Sequence, residues 1–472
     1  MAQSSQYITF VNNHSCPLCG SRDYVVGAER MEILQSVPVK PEELDTQAVV
    51  SFTPALCNNC QLSFNETGIS DETRSWIWGR YRFYKASSMG GANYQPYIDE
   101  VRKRLDSKSA RVLEVGGYDG YLLRTLSNEG YTSLTLIDPA VVTDGIDQCR
   151  NRVTTVKGFF PEDEPVYRMR VERGRSYCCE SKCPSVLENG DIHGHSCEPG
   201  NSHTIAERLS LDTVGLYDVV ACKEVLSVVP DIMHFVKGLN AVLRMGGTLV
   251  LTTPPFNSMH AMQIWHFNAN AIDWIVSRCG FELTEHRVTS QVTYEIYVLT
   301  KIADVLYDAE VPDIADLIKP QRNENSGGYE GKVFSRHIQK QCIEQLAQSS
   351  TVSASAAARL NEKLRTHAEL GHTLVIYGTG LQTFNILSCL DKTSASMELL
   401  LVNSLKDDEG SLFMLPDGSV KEVHWAVSAL KDRHIPVLIL GVLSPRFMEE
   451  ITAVLHEINC TCDELISMQD LI

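Results

Sequence analysis

Several features that would settle the protein's class are missing from the sequence. Its first ten residues, MAQSSQYITF, carry neither a basic cluster nor an apolar core, so no secretory leader is expected. No apolar run approaches the ~20 residues that cross a bilayer, and a stretch such as PVLILGVL at 436–443 reads as a short buried strand. Positive charge is in deficit, with 42 Lys and Arg against 59 Asp and Glu, a formal charge of −17. That balance speaks against gripping a nucleic-acid backbone, which needs clustered cations. What is present is ordinary globular composition, 43% hydrophobic and 21% charged, which excludes a disordered chain or a fibre. At ~150 residues per domain, 472 residues suggest three domains. The expected location is cytoplasmic, where 15 cysteines, an odd number, read as metal ligands or buried thiols rather than disulfides.

Four of those cysteines have ligand spacing. Cys16-Pro-Leu-Cys19 and Cys57-Asn-Asn-Cys60 are two CxxC knuckles, each turning tightly enough to aim two thiolates at one ion. Together they suit a four-sulfur Zn2+ site, which has no open position and is therefore structural. Residues 1–75 hold four basic side chains against nine acidic ones, so this zinc-ribbon-like segment reads as a folding or lid element rather than a nucleic-acid reader.

The middle of the chain, ARVLEVGGYDGYLLRTLSNEGYTSLTLIDPA from Ala110, reads as a βαβ unit. A strand carrying Glu114 enters a turn with Gly116, Gly117 and Gly120, a helix buries Leu122, Leu123 and Leu126, and a second strand ends at Asp138. Glycines let backbone approach a ligand, and the closing carboxylate can take both hydroxyls of a ribose. Further strands are expected at 153–156, 217–221 and 248–253, with Phe159 and Phe160 following the first of these. The spacing resembles the first motif of class I S-adenosylmethionine-dependent methyltransferases. That resemblance implies an α/β sheet of Rossmann-like type, with Glu114, Gly116, Gly117, Gly120, Asp138, Phe159 and Phe160 holding the cofactor S-adenosyl-L-methionine. An insertion at 161–216 gathers Cys178, Cys179, Cys183, Cys197, His193, His195 and His203; it reads as a surface excursion, with a second metal site as the alternative.

Residues 305–370 read as a helical connector. From 371 to 472 a second strand, glycine turn (Gly378, Gly380) and helix begin a smaller Rossmann-like domain. Thr383 stands at its third glycine position and Asn403 where a ribose-binding acid would fall, so a complete dinucleotide site is not expected.

The whole order is a zinc segment (1–75), a methyltransferase domain (76–304), a connector and a Rossmann-like domain. With Tyr81-Arg-Phe-Tyr-Lys-Ala-Ser-Ser88, it resembles the C-methyltransferase family that acts on nucleotide-linked deoxysugars. The resemblance implies a structural zinc, S-adenosylmethionine as donor and a nucleotide-linked sugar as small-molecule acceptor. Departures fall on the acceptor side: Glu224 and Val228 replace an asparagine and a histidine, and Ala261-Met-Gln263 replaces a His-Glu-His triplet. The proton acceptor is accordingly expected at His266, with Tyr84 and His260 behind it. An O- or N-methyltransferase, and a noncatalytic scaffold that binds the donor, remain as alternatives.

Overall fold

A computed structural model describes residues 8–80, 94–142, 152–165, 216–256, 258–288, 294–305, 336–348, 352–442 and 445–467, with positions 146, 149 and 167 besides. Tyr84 and the seven Cys and His residues of the insertion lie outside these. Three sheets organise the chain.

The first is built by β1 (Phe10–Asn12), β2 (Tyr24–Val26), β3 (Arg30–Ile33), β4 (Val49–Cys57) and β5 (Ser63–Ile69). Pro54 cannot donate to a ladder, and the register of β4 on β5 shifts between Thr53 and Pro54. That shift divides β4. Its last residues pair with β2 and lead into the second knuckle, whereas its first four pair with β3. The long interval between the knuckles is therefore used structurally, because β3 and the turn after it reach a different neighbour. Val39 and Leu412 exchange backbone hydrogen bonds of 3.0 and 2.7 Å, and Gln47 Oε1 accepts from the Met414 amide at 2.9 Å. Helix α1 (Asp71–Trp78) follows, capped by the Ser70 side chain, which accepts from the Thr73 amide.

The second sheet comprises β6 (Arg111–Val115), β7 (Ser133–Ile137), β8 (Val153–Val156), β9 (Tyr217–Lys223), β10 (Leu243–Thr253), β12 (Phe281–Val288) and β13 (Glu295–Lys301), with the two-residue β11 (Trp265–His266) between β10 and β12 in sequence. Its order is β12-β13-β10-β9-β6-β7-β8; β6 to β10 run parallel and β13 lies antiparallel to β10. Helices α2 (Gln95–Arg102), α3 (Tyr121–Asn128), α4 (Ile232–Val242) and α5 (Ala269–Ser277) cover it. Chain order reverses between β6 and β9, which opens a crevice at their carboxyl ends, where such sheets take ligands. β11 leaves this unit and pairs with β5, Trp265 opposite Phe64 and His266 opposite Ser63. Cys16, Cys57 and Cys60 share one buried cluster with Phe267 and Ile272, so the knuckles and α5 have a common core.

Helices α6 (Arg336–Leu346) and α7 (Ala354–Glu369) lead to the third sheet, of β14 (Leu374–Tyr377), β15 (Leu399–Asn403), β16 (Ser411–Met414), β17 (Val420–Trp425), β18 (His434–Leu440) and β19 (Thr461–Ser467). Its order, β16-β17-β15-β14-β18-β19, reverses beside β14, where the Gly378 turn enters α8 (Leu381–Ser388). Thr383 turns its hydroxyl back to the Gly378 carbonyl at 2.5 Å, and Asn403 Nδ2 donates to Thr379 Oγ1 and Asp408 Oδ2. The two unusual residues of this turn thus bind its own backbone and neighbours. Among the described residues no helix is long and apolar enough to cross a membrane.

Candidate active site and cysteine cluster

At the carboxyl end of β6 the backbone passes through Gly116 at φ +75°, where an added Cβ would stand 2.1 Å from Val225 Cγ2. At Gly117 a Cβ would come within 2.5 Å of Glu114 Cδ, so the turn lies directly over that carboxyl group. Glu114 is 1% exposed, and neither of its oxygens makes a well-formed hydrogen bond, the Leu123 amide being the one backbone donor that bears on it. Burial, reinforced by the Asp119 and Asp138 carboxylates, pushes its pKa up to about 8, against the pull of the Leu123 amide and the Lys223 ammonium.

Asp138 closes β7. Its Oδ2 accepts from the Tyr118 amide at 2.9 Å and its Oδ1 from the Ala140 amide at 2.6 Å. Each oxygen keeps a further lone pair. Burial raises the pKa of this group, and the two amides draw it back. Tyr118 and Glu224 both hold positive φ, +47° and +58°, just beyond the ends of adjacent strands β6 and β9, a conformation uncommon for non-glycine residues.

Nothing in the sequence marks the next contact. Lys223 ends β9 with its ammonium 4.9 Å from the Tyr94 ring, 4.6 Å from the Tyr294 ring and 2.6 Å from Glu224 Oε2. Burial and the charges of Glu114, Glu224 and Asp119 push the Tyr94 phenol up, so this aromatic wall faces the same carboxylates. Phe159 follows β8 and is 67% exposed, whereas Phe160 packs edge-on against Phe235 at 5.4 Å between ring centroids. The glycine turn, Asp138 and Glu114 are therefore gathered at one place, while Phe159 stands exposed after the neighbouring β8 and Phe160 packs toward the core.

His260 and His266 meet elsewhere, where the loop after β10 crosses the first sheet. His266 is 3% exposed. Asn65 Nδ2 donates to the Gln263 carbonyl, which turns its Oδ1 toward His266 Nε2 at 3.0 Å and sets the ring proton there. The other ring nitrogen lies 3.2 Å from the Gln263 side chain. Burial, then the nearby His260, Arg30 and Arg74 charges, hold His266 well below the usual histidine range. His260 is more open: its Nε2 faces Ser258 Oγ at 3.0 Å and its Nδ1 faces Glu32 Oε1 at 3.2 Å. Glu32 Oε2 accepts from the Ala261 amide at 2.5 Å.

The four knuckle cysteines converge, their sulfurs all within 4.8 Å of one another. Cys16 and Cys60 Sγ stand 3.7 Å apart and Cys19 and Cys57 Sγ 3.5 Å apart. Four Zn–S bonds of ~2.3 Å in a tetrahedron require sulfurs ~3.8 Å apart, so the set fits that ion. Each knuckle places the residue after its second cysteine at positive φ, Gly20 at +71° and Gln61 at +59°. Sharing of protons among the cysteines pulls the Cys57 thiol well down, through its bonds with Cys16 and Cys60, and the bond with Cys57 pushes Cys16 up.

Residues 89–286 match the family model described as a methyltransferase domain. No curated protein matches the chain. Among solved structures, an S-adenosylmethionine dependent methyltransferase from Mesorhizobium loti is similar at 11% identity and a TM-score of 0.28, over 45% of this chain and 99% of that one. Magnesium protoporphyrin IX methyltransferase from Synechocystis PCC 6803, with bound S-adenosylmethionine, is similar at 14% identity and 0.29, over 48% and 89%. The N-methyltransferase NodS from Bradyrhizobium japonicum is similar at 12% and 0.26, over 44% and 96%. With the family match laid on this strand order and glycine turn, the chain carries a class I S-adenosylmethionine-dependent methyltransferase domain.

Proposed function

We propose that the chain is a cytoplasmic enzyme that methylates a small metabolite, with a nucleotide-linked sugar as acceptor and carbon as the methylated atom. Glu114 carries the donor half of this reading. A carboxyl group buried beneath a glycine turn with no well-formed hydrogen bond is costly unless a ligand cation meets it. The methionine part of S-adenosylmethionine brings an ammonium to Glu114, and the two spare lone pairs of Asp138 suit its ribose hydroxyls. Gly116, Gly117 and Gly120 let the chain close on the donor, and Phe159 is available to its adenine face. The order of segments and the quoted motifs support the sugar acceptor. Zn2+ held by Cys16, Cys19, Cys57 and Cys60 would brace the first sheet against α5.

When bound, the donor supplies an electrophilic methyl group on sulfonium. The protein's work is alignment, exclusion of water and removal of one acceptor proton. His260 is our choice for the proton, because Glu32 orients its ring and Ser258 touches the opposite nitrogen. Tyr84 stands as second candidate. Its burial and the bond that its Nε2 makes to Asn65 Oδ1 favour a supporting role for His266.

Calorimetric titration of zinc-replete protein with S-adenosylmethionine tests the donor half, and an absence of binding would overturn it. A radiolabelled-methyl screen then compares nucleotide sugars, amines and phenols. Transfer to a nucleotide sugar supports the acceptor reading. Donor binding with no product in any class would favour a scaffold.

A further inference from the structure

Lys223 brings a buried ammonium to the carboxyl end of β9, and the methylation proposed above gives it no task. Strand alternation fixes its side of the sheet. Glu114 of β6 stands opposite Ala221 of β9, so Lys223, two positions further on, lies on the same face. Val112, Val219 and Ala221 share the buried cluster of that face, whereas Leu113, Val115, Val220 and Cys222 share the cluster of the other. The Lys223 charge accordingly draws the Glu114 pKa down, against the effect of burial.

The surroundings of the ammonium suit a second anion. The Lys223 side chain is 7% exposed, and Glu224 Oε2 accepts one of its three protons at 2.6 Å. Tyr94 and Tyr294 lie 4.9 and 4.6 Å away; their ring faces attract the charge without supplying the lone pairs of a carboxylate. Tyr94 meets Tyr121 edge-on at 5.6 Å between ring centroids, and Tyr121 follows Gly120. One aromatic wall thus runs from the ammonium to the end of the glycine turn. Taking an ammonium out of water is costly, and Glu224, 35% exposed, offsets only part of that cost.

The donor supplies such an anion, and the inference rests on the donor reading given above. The methionine end of S-adenosylmethionine carries an ammonium and a carboxylate on one carbon atom. An ammonium at Glu114 therefore brings the carboxylate to the same face, where the Asp119 and Asp138 charges that act on Glu114 would repel it. A cation is needed beside it. Arg124 is also near the turn, but its Nη2 donates to Asp119 Oδ2 at 3.2 Å from α3.

We propose that Lys223 binds the carboxylate of the donor's methionine end and makes the site selective for a zwitterionic amino-acid tail. Glu114 and Lys223, on adjacent strands, read the ammonium and the carboxylate separately. Glu224 holds the Lys223 ammonium until the donor arrives.

Calorimetric titration of the full-length protein with S-adenosylhomocysteine and with its decarboxylated analogue, in which hydrogen replaces the carboxylate, tests the assignment. The wild type should bind the first about tenfold or more tighter. Lys223→Met, which keeps an apolar stem, should weaken S-adenosylhomocysteine by about tenfold or more and leave the analogue unaltered or tighter, so that the preference disappears. Glu114→Gln should weaken both probes, since both carry the ammonium. If Lys223→Met fails to fold, the double variant Lys223→Met with Glu224→Gln, which removes both charges of the pair, replaces it with the same expectation. The proposal is overturned if the wild type shows no preference, if Lys223→Met weakens both probes alike or neither, or if Arg124→Met abolishes the preference and Lys223→Met does not. Failure of both probes to bind the wild type would overturn the donor reading and this inference with it. A Glu114→Gln variant that binds both probes normally would remove the ammonium assignment alone and leave that of Lys223 standing.

Discussion

His260 Nδ1 and Glu32 Oε1 stand 3.2 Å apart although 228 positions separate them in sequence. The contact joins the loop after β10 to β3. Because Glu32 also accepts from the Ala261 amide, one carboxylate fixes both the ring and the backbone beside it. A histidine held in this way has a defined orientation before substrate arrives, which is what a proton acceptor needs.

His260→Gln should lower kcat by about a hundredfold or more, the range typical of a lost general base, and leave the donor Kd within about twofold. Steady-state rates on the best nucleotide sugar, with calorimetry for the donor, measure both quantities. Retained activity would remove His260 from the mechanism. A parallel loss of donor affinity would show that the substitution had disturbed the crevice instead.

Asp138→Asn keeps one carbonyl acceptor for a backbone amide and removes the charge. The donor's ribose hydroxyls should then bind about tenfold to a hundredfold more weakly, since hydrogen bonds to charged groups contribute ~1.5–3 kcal/mol. Titration with S-adenosylhomocysteine isolates this effect from turnover. Unchanged affinity would mean that the ribose lies elsewhere.

Metal analysis of the purified chain should find one zinc for the knuckles. Stripping it with a strong chelator should lower the melting temperature and loosen the sheet that β5 forms with β11, because Cys16, Cys57 and Cys60 share their core with α5. Cys57→Ser should reproduce the loss. A metal-free protein with an unaltered melt would refute a structural ion, and a second equivalent of zinc would direct attention to Cys178, Cys179, Cys183 and Cys197.

What the sequence disclosed and what it hid follow from the range of the interactions. The Gly116–Gly120 turn, Asp138 and the parallel strands are written locally, in apolar runs that end on glycine or a carboxylate, and the strands at 112–115, 134–137 and 153–156 lie where those runs predict them. The knuckles are similarly local. β11 is two residues long and exists only because Ser63 and Phe64 pair with it, so no periodicity marks it. Its His266 reads in sequence as a reactive histidine, although the flanking Trp265 and Phe267, both nearly fully buried, are the signal of a core position. Lys223 gave no signal either, since its setting depends on Tyr94 and Tyr294, which lie on opposite sides of it in the chain. Glu32 and Arg30 sit in an interval between knuckles that reads as a loop until the third sheet is there to receive it.

The pH dependence of stability follows from Glu114, whose pKa rises from the ordinary 4.5 to about 8 on folding. Below 4.5 the group is neutral in both states and has no effect. Between 4.5 and 8 the unfolded chain ionises while the folded one stays protonated, so each unit of pH costs the donor-free fold a further ~1.4 kcal/mol at most. Above about 8 both states are ionised and the penalty is constant. Glu114→Gln imitates the protonated form throughout. Its melting temperature should therefore gain on that of the wild type as pH rises from about 5 to 8, and the gap should then stay level. Thermal melts of both proteins without donor, across that interval and one unit beyond it, read the difference directly. A gap that is flat from pH 5 upward would mean that the carboxylate already has a partner in the empty crevice, and the ammonium of the donor would then not be what Glu114 is placed to meet.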